Sequence, residues 1–262
     1  MLHDQHMHSH YSEDSNENLK AYLDIANRQG IKYFMTCEHV DYDPPTFKKS
    51  WIADFDALRK ECKTLIPLYP NITFLYGIEL GYREDHYLDM INMLRYHKFD
   101  LVQLSAHDDG IHDYYLKESF MDTYNDLCSY FDQVFKAISN FSDFDVLSHF
   151  DYGFKTARMV NPSEDIKLYE DKLIKIFNKL INDNKALEIN SKVQNTINDD
   201  EYLKYILNLY YSLGGRKLTL SSDAHKVENY RLNFDKYIAM IKDAGFKYLC
   251  YFVDRCEHHY EL

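Results

Sequence analysis

In residues 217–225, KLTLSSDAH, a short apolar run leads directly into an Asp-x-His pair. The run LTLS has the length and composition of a buried strand in a parallel sheet. Side chains at positions i and i+2 of an extended chain share one face, so Asp223 and His225 are expected to point the same way. The segment therefore predicts a buried strand that ends in two residues able to bind one ligand.

Similar apolar runs recur along the 262-residue chain, and amphipathic stretches lie between them. The runs cover residues 33–37, 72–80, 101–106, 146–149, 186–190 and 217–221, and helical patterns cover residues 16–28, 51–66, 163–182 and 199–212. Together with the N-terminal segment this gives about seven strands, and residues 248–253 are a candidate eighth. Repeated strand-then-helix units predict a parallel sheet, either open or closed into a barrel.

The residues that follow the predicted strands favour the barrel. In α/β barrels the functional groups lie at the carboxyl ends of the strands, whereas an open sheet places them mainly where the strand order reverses. Here nearly every predicted strand ends in residues of types that bind metal ions: His6 and His8, Glu38 and His39, Glu79, His107, His149, and Asp223 and His225. Since a closed barrel brings all of these ends together, we expect one α/β barrel domain over residues 1–262.

Each of these residues, taken alone, also has a structural explanation. The N-terminal histidines could form a solvated tract, and a single His107 or His149 could be a hydrogen-bonded structural histidine. Glu79 is harder to explain in this way, because a buried carboxylate is rare unless it is paired or bound to metal. A mixed set of imidazole and carboxylate groups suits Zn, Mn or Fe better than Mg or Ca. The recurrence at several strand ends therefore indicates a metal site.

The composition argues against several classes of partner. A formal net charge of −12 disfavours nucleic acid and anionic membranes, which need a positive protein surface. No apolar run is long enough for a transmembrane helix, and the first residues lack a signal-peptide pattern, so a cytoplasmic location is expected. The five cysteines follow no CxxC spacing and are expected to be reduced thiols. The sequence does not indicate an oligomeric state.

The series HxH with a following Ser and Asp, then EH, GIE, SAH, SH and SDAH, resembles the polymerase and histidinol phosphatase (PHP) superfamily. Over essentially its whole length, the chain is similar to the monofunctional histidinol-phosphate phosphatases of that superfamily. This resemblance implies a distorted (β/α)7 barrel that holds three divalent metal ions. It also implies hydrolysis of a small phosphorylated substrate, L-histidinol phosphate, by a metal-activated hydroxide in histidine biosynthesis.

The resemblance further implies which residues hold each ion. The first ion would be held by His6, His8, Glu79 and Asp223, the second by Glu79 as a bridge with His107 and His149, and the third by Asp14, His39 and His225. Asp14 stands where some members of the superfamily have His, which puts the metal preference of the third position in doubt. Glu79, Asp223 and His225 are the residues expected to take part in catalysis. Asp4 is expected to orient a ligand rather than to be one.

Basic side chains near the same strand ends are candidates for binding a phosphate. Lys155 and Arg158 follow the fifth strand and Lys192 follows the sixth, and each could equally be a solvated surface charge. The choice between Lys155 and Arg158 stays open, and a lysine is the weaker bidentate phosphate ligand. Asn190 is predicted either to contact the substrate or to cap the following turn. Arg83 is a more distant candidate. Tyr114 or Tyr115 could line the organic end of the substrate.

Two other functions are compatible with the same residues. Another PHP phosphoesterase, such as a protein-tyrosine phosphatase, would carry a similar metal site. A non-catalytic metal-binding domain belongs to a different class, and protein ligands would fill every position around its ion. A site that leaves room for water or substrate distinguishes an enzyme from this second alternative.

Overall fold

Strands and helices alternate along the chain in a computed structural model that describes residues 3–47 and 49–262. The strands are β1 (Tyr33–Asp41), β2 (Trp51–Ile52), β3 (Thr73–Gly81), β4 (Leu101–Ser105), β5 (Val146–Leu147), β6 (Ala186–Asn190), β7 (Leu218–Ser221), β8 (Tyr248–Val253) and β9 (Cys256–Glu261). The α-helices are α1 (Leu19–Arg28), α2 (Phe55–Leu65), α3 (Tyr87–Tyr96), α4 (Thr123–Asn140), α5 (Tyr152–Ala157), α6 (Pro162–Asp165), α7 (Glu170–Asn182), α8 (Ser191–Ile197), α9 (Asp200–Ser212) and α10 (Phe234–Asp243). Short 3-10 helices cover Ile66–Leu68, Lys117–Phe120, Ile166–Tyr169 and Val227–Asn229.

The N-terminal segment closes the main sheet into a barrel. The sheet has the order β2-β1-β3-β4-β5-β6-β7, in which β2 is antiparallel to β1 and the other neighbours are parallel. Cys37 in β1 donates its backbone N–H to the Met7 carbonyl at 2.9 Å, and His8 donates to the Ala224 carbonyl, just past β7, at 2.8 Å. The N-terminal segment thus lies between the first and last parallel strands. The expected distorted (β/α)7 barrel is confirmed, and an open sheet is excluded.

The candidate eighth strand forms over Tyr248–Val253, but it lies outside the barrel sheet. β8 pairs with β9 in a separate antiparallel hairpin, whose turn residues Asp254 and Arg255 have φ angles of 50° and 61°. Two consecutive residues with positive φ fit a tight turn between twisted strands. Phe252 packs in one cluster with Met35 and Leu101, which lie near the starts of barrel strands. The hairpin therefore covers the amino end of the barrel, opposite the strand ends that carry the polar residues.

Capping residues place the helix boundaries later than the periodicity predicted. α1 begins after Asn18, whose side chain accepts a backbone N–H of the first turn. The helix predicted over residues 51–66 begins only after Asp54, because residues 51–52 form β2. The helix predicted over residues 163–182 is divided at its start, and its long regular part is α7. In the described part of the chain, no helix is long and apolar enough to cross a membrane.

Candidate metal centre

Nine side chains of metal-ligand type gather at the carboxyl end of the barrel. They are His6 and His8 of the N-terminal segment, Asp14 of the loop after it, His39 of β1, Glu79 of β3, His107 after β4, His149 after β5, and Asp223 and His225 after β7. Most of them are almost fully buried, and Asp14 is the most exposed. The structure thus brings together all nine residues that the sequence suggested as ligands.

The two carboxylate oxygens of Glu79 face two different sets of imidazoles. Oε1 lies 2.6 Å from His149 Nε2 and 3.1 Å from His107 Nε2. Oε2 lies 3.2 Å from His6 Nε2, 3.3 Å from His8 Nε2 and 3.2 Å from His39 Nδ1, yet it makes no hydrogen bond. Since buried polar atoms are nearly always satisfied, this arrangement suits a cation between the oxygen and the imidazoles. The geometry of Glu79 fits a carboxylate shared by two ions.

Asp14 joins two histidines at the more exposed edge of the cluster. Its Oδ2 lies 2.8 Å from His225 Nε2, and its Oδ1 lies 3.6 Å from His39 Nε2. Nitrogens of His8, His39 and His225 all lie within 4.8 Å of one another. The three residues suggested for the third ion are therefore neighbours, and His8 lies beside them.

Asp223 has a backbone conformation that is uncommon for a residue other than glycine, with φ of 51°. Aspartate is one of the residue types that tolerate this left-handed region, at a cost on the order of 1 kcal/mol. Its Oδ1 lies 3.4 Å from His8 Nε2 and 3.3 Å from His225 Nδ1. The left-handed turn after β7 thus holds this carboxylate in the cluster.

The charges of the cluster shift the pKa values of its members. Burial alone would raise the pKa of Glu79, but the surrounding imidazoles hold that pKa well below its usual range. Burial would lower the pKa of His107, but the carboxylates of Asp41 and Glu79 raise it to about 10. Burial and neighbouring imidazoles lower the pKa of His8 to about 4. The carboxylates and imidazoles of the cluster thus shift each other's pKa values in the directions that favour their charged forms, except at His8.

Two carboxylates behind the histidines orient their rings, and the sequence did not identify either. Glu188 Oε1 lies 2.7 Å from His6 Nδ1, and Asp41 Oδ1 lies 2.7 Å from His107 Nδ1. When Nδ1 donates a hydrogen bond to a carboxylate, Nε2 keeps its lone pair for a metal ion. For Glu188 a signal was available, because a carboxylate within the apolar strand ALEIN is unusual.

Glu38 and Asp4 support the same region through hydroxyl and backbone groups. Ser12 Oγ donates to Glu38 Oε2 at 2.6 Å and lies 3.1 Å from His8 Nδ1. Asp4 accepts the backbone N–H groups of Ser222 at 3.1 Å and of the first ligand-type histidine at 3.2 Å. Asp4 thus holds the backbone next to a candidate ligand, and Glu38 holds a serine rather than facing the cluster.

The donor set fits bound metal ions. Within this cluster, groups of three donors within 4.8 Å of one another are His6, His8 and Glu79; His6, His149 and Asp223; His39, Glu79 and His107; and His8, His39 and His225. Buried nitrogen and carboxylate oxygen donors in such groups suit Zn, Mn or Fe. The groups overlap, as expected when neighbouring ions share ligands.

A cavity of about 370 Å³ opens onto the cluster, and two of the three predicted basic residues line it. Lys155 Nζ lies 3.7 Å from the centre of the Tyr152 ring, and Lys192 Nζ lies 3.2 Å from Asp223 Oδ1. Burial, together with the charge of Lys192, lowers the pKa of Lys155 to about 8. Arg158 does not line the cavity, and it is exposed at the end of α5 with φ of 53°.

Three other residues suggested for substrate binding lie outside the cavity lining: Asn190, Arg83 and Tyr114. Asn190 caps α8, because its side-chain oxygen accepts the Val193 N–H at 3.1 Å. Its amide also donates to Asp223 Oδ2 at 3.3 Å, so the capping alternative describes its position. The guanidinium of Arg83 is engaged by Asp85 at 2.7 Å and by Asp108 at 3.3 Å. Tyr115 lines the cavity, and Tyr114 does not.

The fold and the cluster define a class of protein: barrels whose strand ends gather imidazole and carboxylate groups suited to several metal ions. Comparison with known proteins specifies the family. The chain belongs to the PHP domain family, whose model matches residues 4–192.

Relatives resemble the chain over nearly its full length. It is 27% identical to the histidinol-phosphatase of Lactococcus lactis subsp. lactis, over 95% of this chain and 93% of that protein. It is 26% identical to a probable histidinol-phosphatase of Clostridium acetobutylicum, over 94% of this chain and 95% of that protein. The crystal structure of the Lactococcus lactis histidinol phosphate phosphatase complexed with Zn, L-histidinol and phosphate has a TM-score of 0.88 and 24% identity, covering 97% of this chain and 98% of that one. That structure supports the barrel fold.

Proposed function

We propose that this protein is a metal-dependent phosphomonoesterase that hydrolyses L-histidinol phosphate to L-histidinol and phosphate. The observation that carries the proposal is the position of Glu79, whose two oxygens face two sets of imidazoles beside a cavity lined by two lysines. Near-full-length similarity to proteins named histidinol-phosphatases supports the choice of substrate. A place in histidine biosynthesis follows from that substrate, and with it a cytoplasmic location.

In this proposal, nine side chains hold three divalent ions. The first ion takes His6, His8, Glu79 and Asp223, the second takes Glu79, His107 and His149, and the third takes Asp14, His39 and His225. When bound, such ions polarise phosphoryl oxygens and lower the pKa of a water molecule so that it can attack near neutral pH. Glu79, Asp223 and His225 contribute to catalysis as ligands of these ions.

Lys155 and Lys192 bind the phosphate of the substrate in this proposal. They reach the cavity from two separate helices, α5 and α8, so they can contact different phosphoryl oxygens. A lysine ammonium acts as a point charge with three hydrogen-bond donors. Two lysines together can therefore replace one bidentate arginine. Because Arg158 lies outside the cavity lining, the proposal leaves it at the surface.

The open cavity argues against a purely structural metal site, in which protein ligands would fill every position. Part of the candidate cluster, including Asp14, His39 and His225, lines this cavity. A molecule that enters the cavity therefore meets the donor groups directly, as a substrate of a hydrolase must.

The test is steady-state phosphate release from L-histidinol phosphate, phosphotyrosine and p-nitrophenyl phosphate, with the metal content measured in the same sample. We expect kcat/KM to be far higher for L-histidinol phosphate than for the other two. Similar slow turnover of all three would reject the substrate but keep the hydrolase, and a preference for phosphotyrosine would support the protein-tyrosine phosphatase alternative. Metal-loaded protein without phosphatase activity would support the non-catalytic alternative.

A further inference from the structure

The cavity contains a buried carboxylate that forms no ion pair in the described part of the chain. Asp113 lines the cavity and is 9% exposed. Its hydrogen-bond partners are the Thr46 hydroxyl at 2.5 Å and the Tyr115 backbone N–H at 3.0 Å, both of them uncharged. Within residues 3–47 and 49–262, it forms no ion pair.

The other carboxylates that line the cavity each face a cation or an imidazole. These pairs are Asp14 with His225, Asp41 with His107, Glu79 with His149, Asp108 with Arg83, and Asp223 with Lys192. Asp113 differs from all of them. Since a buried charge is costly unless it is paired, a positively charged ligand in the cavity would balance it.

The surroundings of Asp113 suit an organic cation. Thr46 donates to Oδ2 and the Tyr115 N–H donates to Oδ1, so the carboxylate is held in one orientation. An ionised carboxylate has about four lone-pair positions, so further donors can still be accepted. Phe47, Trp51 and Tyr115 line the same cavity, and the Phe47 and Trp51 ring centres are 4.5 Å apart. Aromatic faces beside a carboxylate attract ammonium groups.

The cavity therefore has two kinds of binding group, with Lys155 and Lys192 for an anion and Asp113 for a cation. We propose that Asp113 and its aromatic neighbours form a subsite for the protonated amino group of a phosphorylated amine. The inference rests on the proposed phosphatase function, and it makes Asp113 the residue that distinguishes cationic substrates from neutral phosphate esters. L-Histidinol phosphate carries such an amino group, whereas p-nitrophenyl phosphate does not.

The first experiment compares Asp113→Asn with the wild type. This change removes the charge and keeps an oxygen that can accept from Thr46. The ratio of kcat/KM for L-histidinol phosphate to that for p-nitrophenyl phosphate should fall about 10- to 100-fold, as expected for losing a hydrogen bond to a charged group. The fall should lie mainly in KM. The matched control is Glu118→Gln, which removes one charge from an exposed position of the same loop region and should leave the ratio unchanged.

A second variant separates charge from loop structure. Thr46→Val removes the hydrogen bond to Asp113 but keeps the carboxylate, so it should change the ratio less than Asp113→Asn. With p-nitrophenyl phosphate as the reporter substrate, Asp113→Asn should also weaken inhibition by L-histidinol more than inhibition by inorganic phosphate. A ratio that is unchanged in Asp113→Asn, or equal losses for both substrates, would overturn the subsite.

Failure of the subsite can be told apart from failure of the proposed function. If the wild type shows no preference for L-histidinol phosphate, the substrate is wrong. A second substrate pair then still tests Asp113: 2-aminoethyl phosphate and ethyl phosphate, which differ in the amino group. A wild-type preference for the amine that Asp113→Asn abolishes supports the subsite, and equal turnover of the two esters by the wild type overturns it.

Discussion

Replacing Glu188 by Gln tests whether the orientation of His6 controls metal binding. Glu188 accepts hydrogen bonds from His6 Nδ1 at 2.7 Å, the His149 backbone N–H at 2.8 Å, the Asn190 amide at 3.1 Å and the Ser221 hydroxyl. Its side chain is fully buried. A glutamine of the same shape has one accepting oxygen, so its NH2 group must face donors on the other side.

The expected loss follows from these contacts. If the amide oxygen stays on His6, the NH2 group meets the N–H groups of His149 and Asn190. If the amide turns round, His6 Nδ1 must accept, and the proton moves to the nitrogen that a metal ion would need. Losing a charge-assisted hydrogen bond or leaving buried donors unpaired costs about 1–3 kcal/mol. We therefore expect metal affinity to fall about 10- to 100-fold, as found for groups that orient metal ligands.

The assay is a zinc titration of metal-free protein against a competing chelator, well below the unfolding temperature. Glu188→Asp should lose less affinity, because it keeps the charge. Glu228→Gln, at an exposed position, should bind zinc as the wild type does. Thermal unfolding of the metal-free proteins shows how much of the effect is general destabilisation. Equal zinc affinity in Glu188→Gln and wild type would refute the orienting role of Glu188.

Three further outcomes are expected. Lys192→Ala should raise KM for L-histidinol phosphate about tenfold, the effect of losing one hydrogen bond to a charged group. Arg158→Ala should leave KM unchanged. Equal effects of the two variants in steady-state kinetics would contradict the role of Lys192 in phosphate binding. Gly81→Ala should lower zinc content and kcat together. The added Cβ would lie 2.0 Å from Asp41 Oδ1, so Asp41 would have to move away from His107, whose ring it orients. Full zinc occupancy of the variant, measured by elemental analysis, would contradict this prediction. The pKa of His107 is raised to about 10, so this histidine stays protonated at neutral pH and must lose its proton when metal binds. Zinc affinity should therefore rise from pH 6 to pH 9 with proton release, measured by calorimetry in two buffers, and pH-independent binding would argue against it.

The sequence predicted basic residues near the site but not which of Lys155 and Arg158 lines the cavity. Lys155 and Arg158 both follow the fifth predicted strand, and the sequence left open which of them meets the phosphate. The helix ends at Ala157, and Arg158 adopts a left-handed conformation with φ of 53°. Only Lys155 of this pair lines the cavity. The sequence pattern did not indicate that this short helix stops between the two residues.

The hairpin at the amino end of the barrel contains a strand whose position was predicted and whose partner was not. The run YLCYFV has the composition of a buried strand, and the sequence predicts it as a candidate eighth strand without indicating its partner. The barrel closes instead through the N-terminal segment, so no gap is left for β8, which pairs with the adjacent β9. A strand's composition predicts its burial, but its partner depends on which edges the rest of the chain leaves free.

The alternation of strands and helices, the ligand-type residues at strand ends and hence the barrel could all be predicted from the residues alone. These features are local. An apolar run indicates a strand, and the residue that follows the run is known to lie at the strand's carboxyl end. Contacts between groups far apart in sequence became visible only in the folded chain. The tertiary structure placed Glu188 behind His6, 182 residues away, and left Asp113 without an ion pair in the described chain while Asp108 received Arg83. Such pairings are fixed only when the barrel closes, because closure brings loops of different strands within hydrogen-bonding distance.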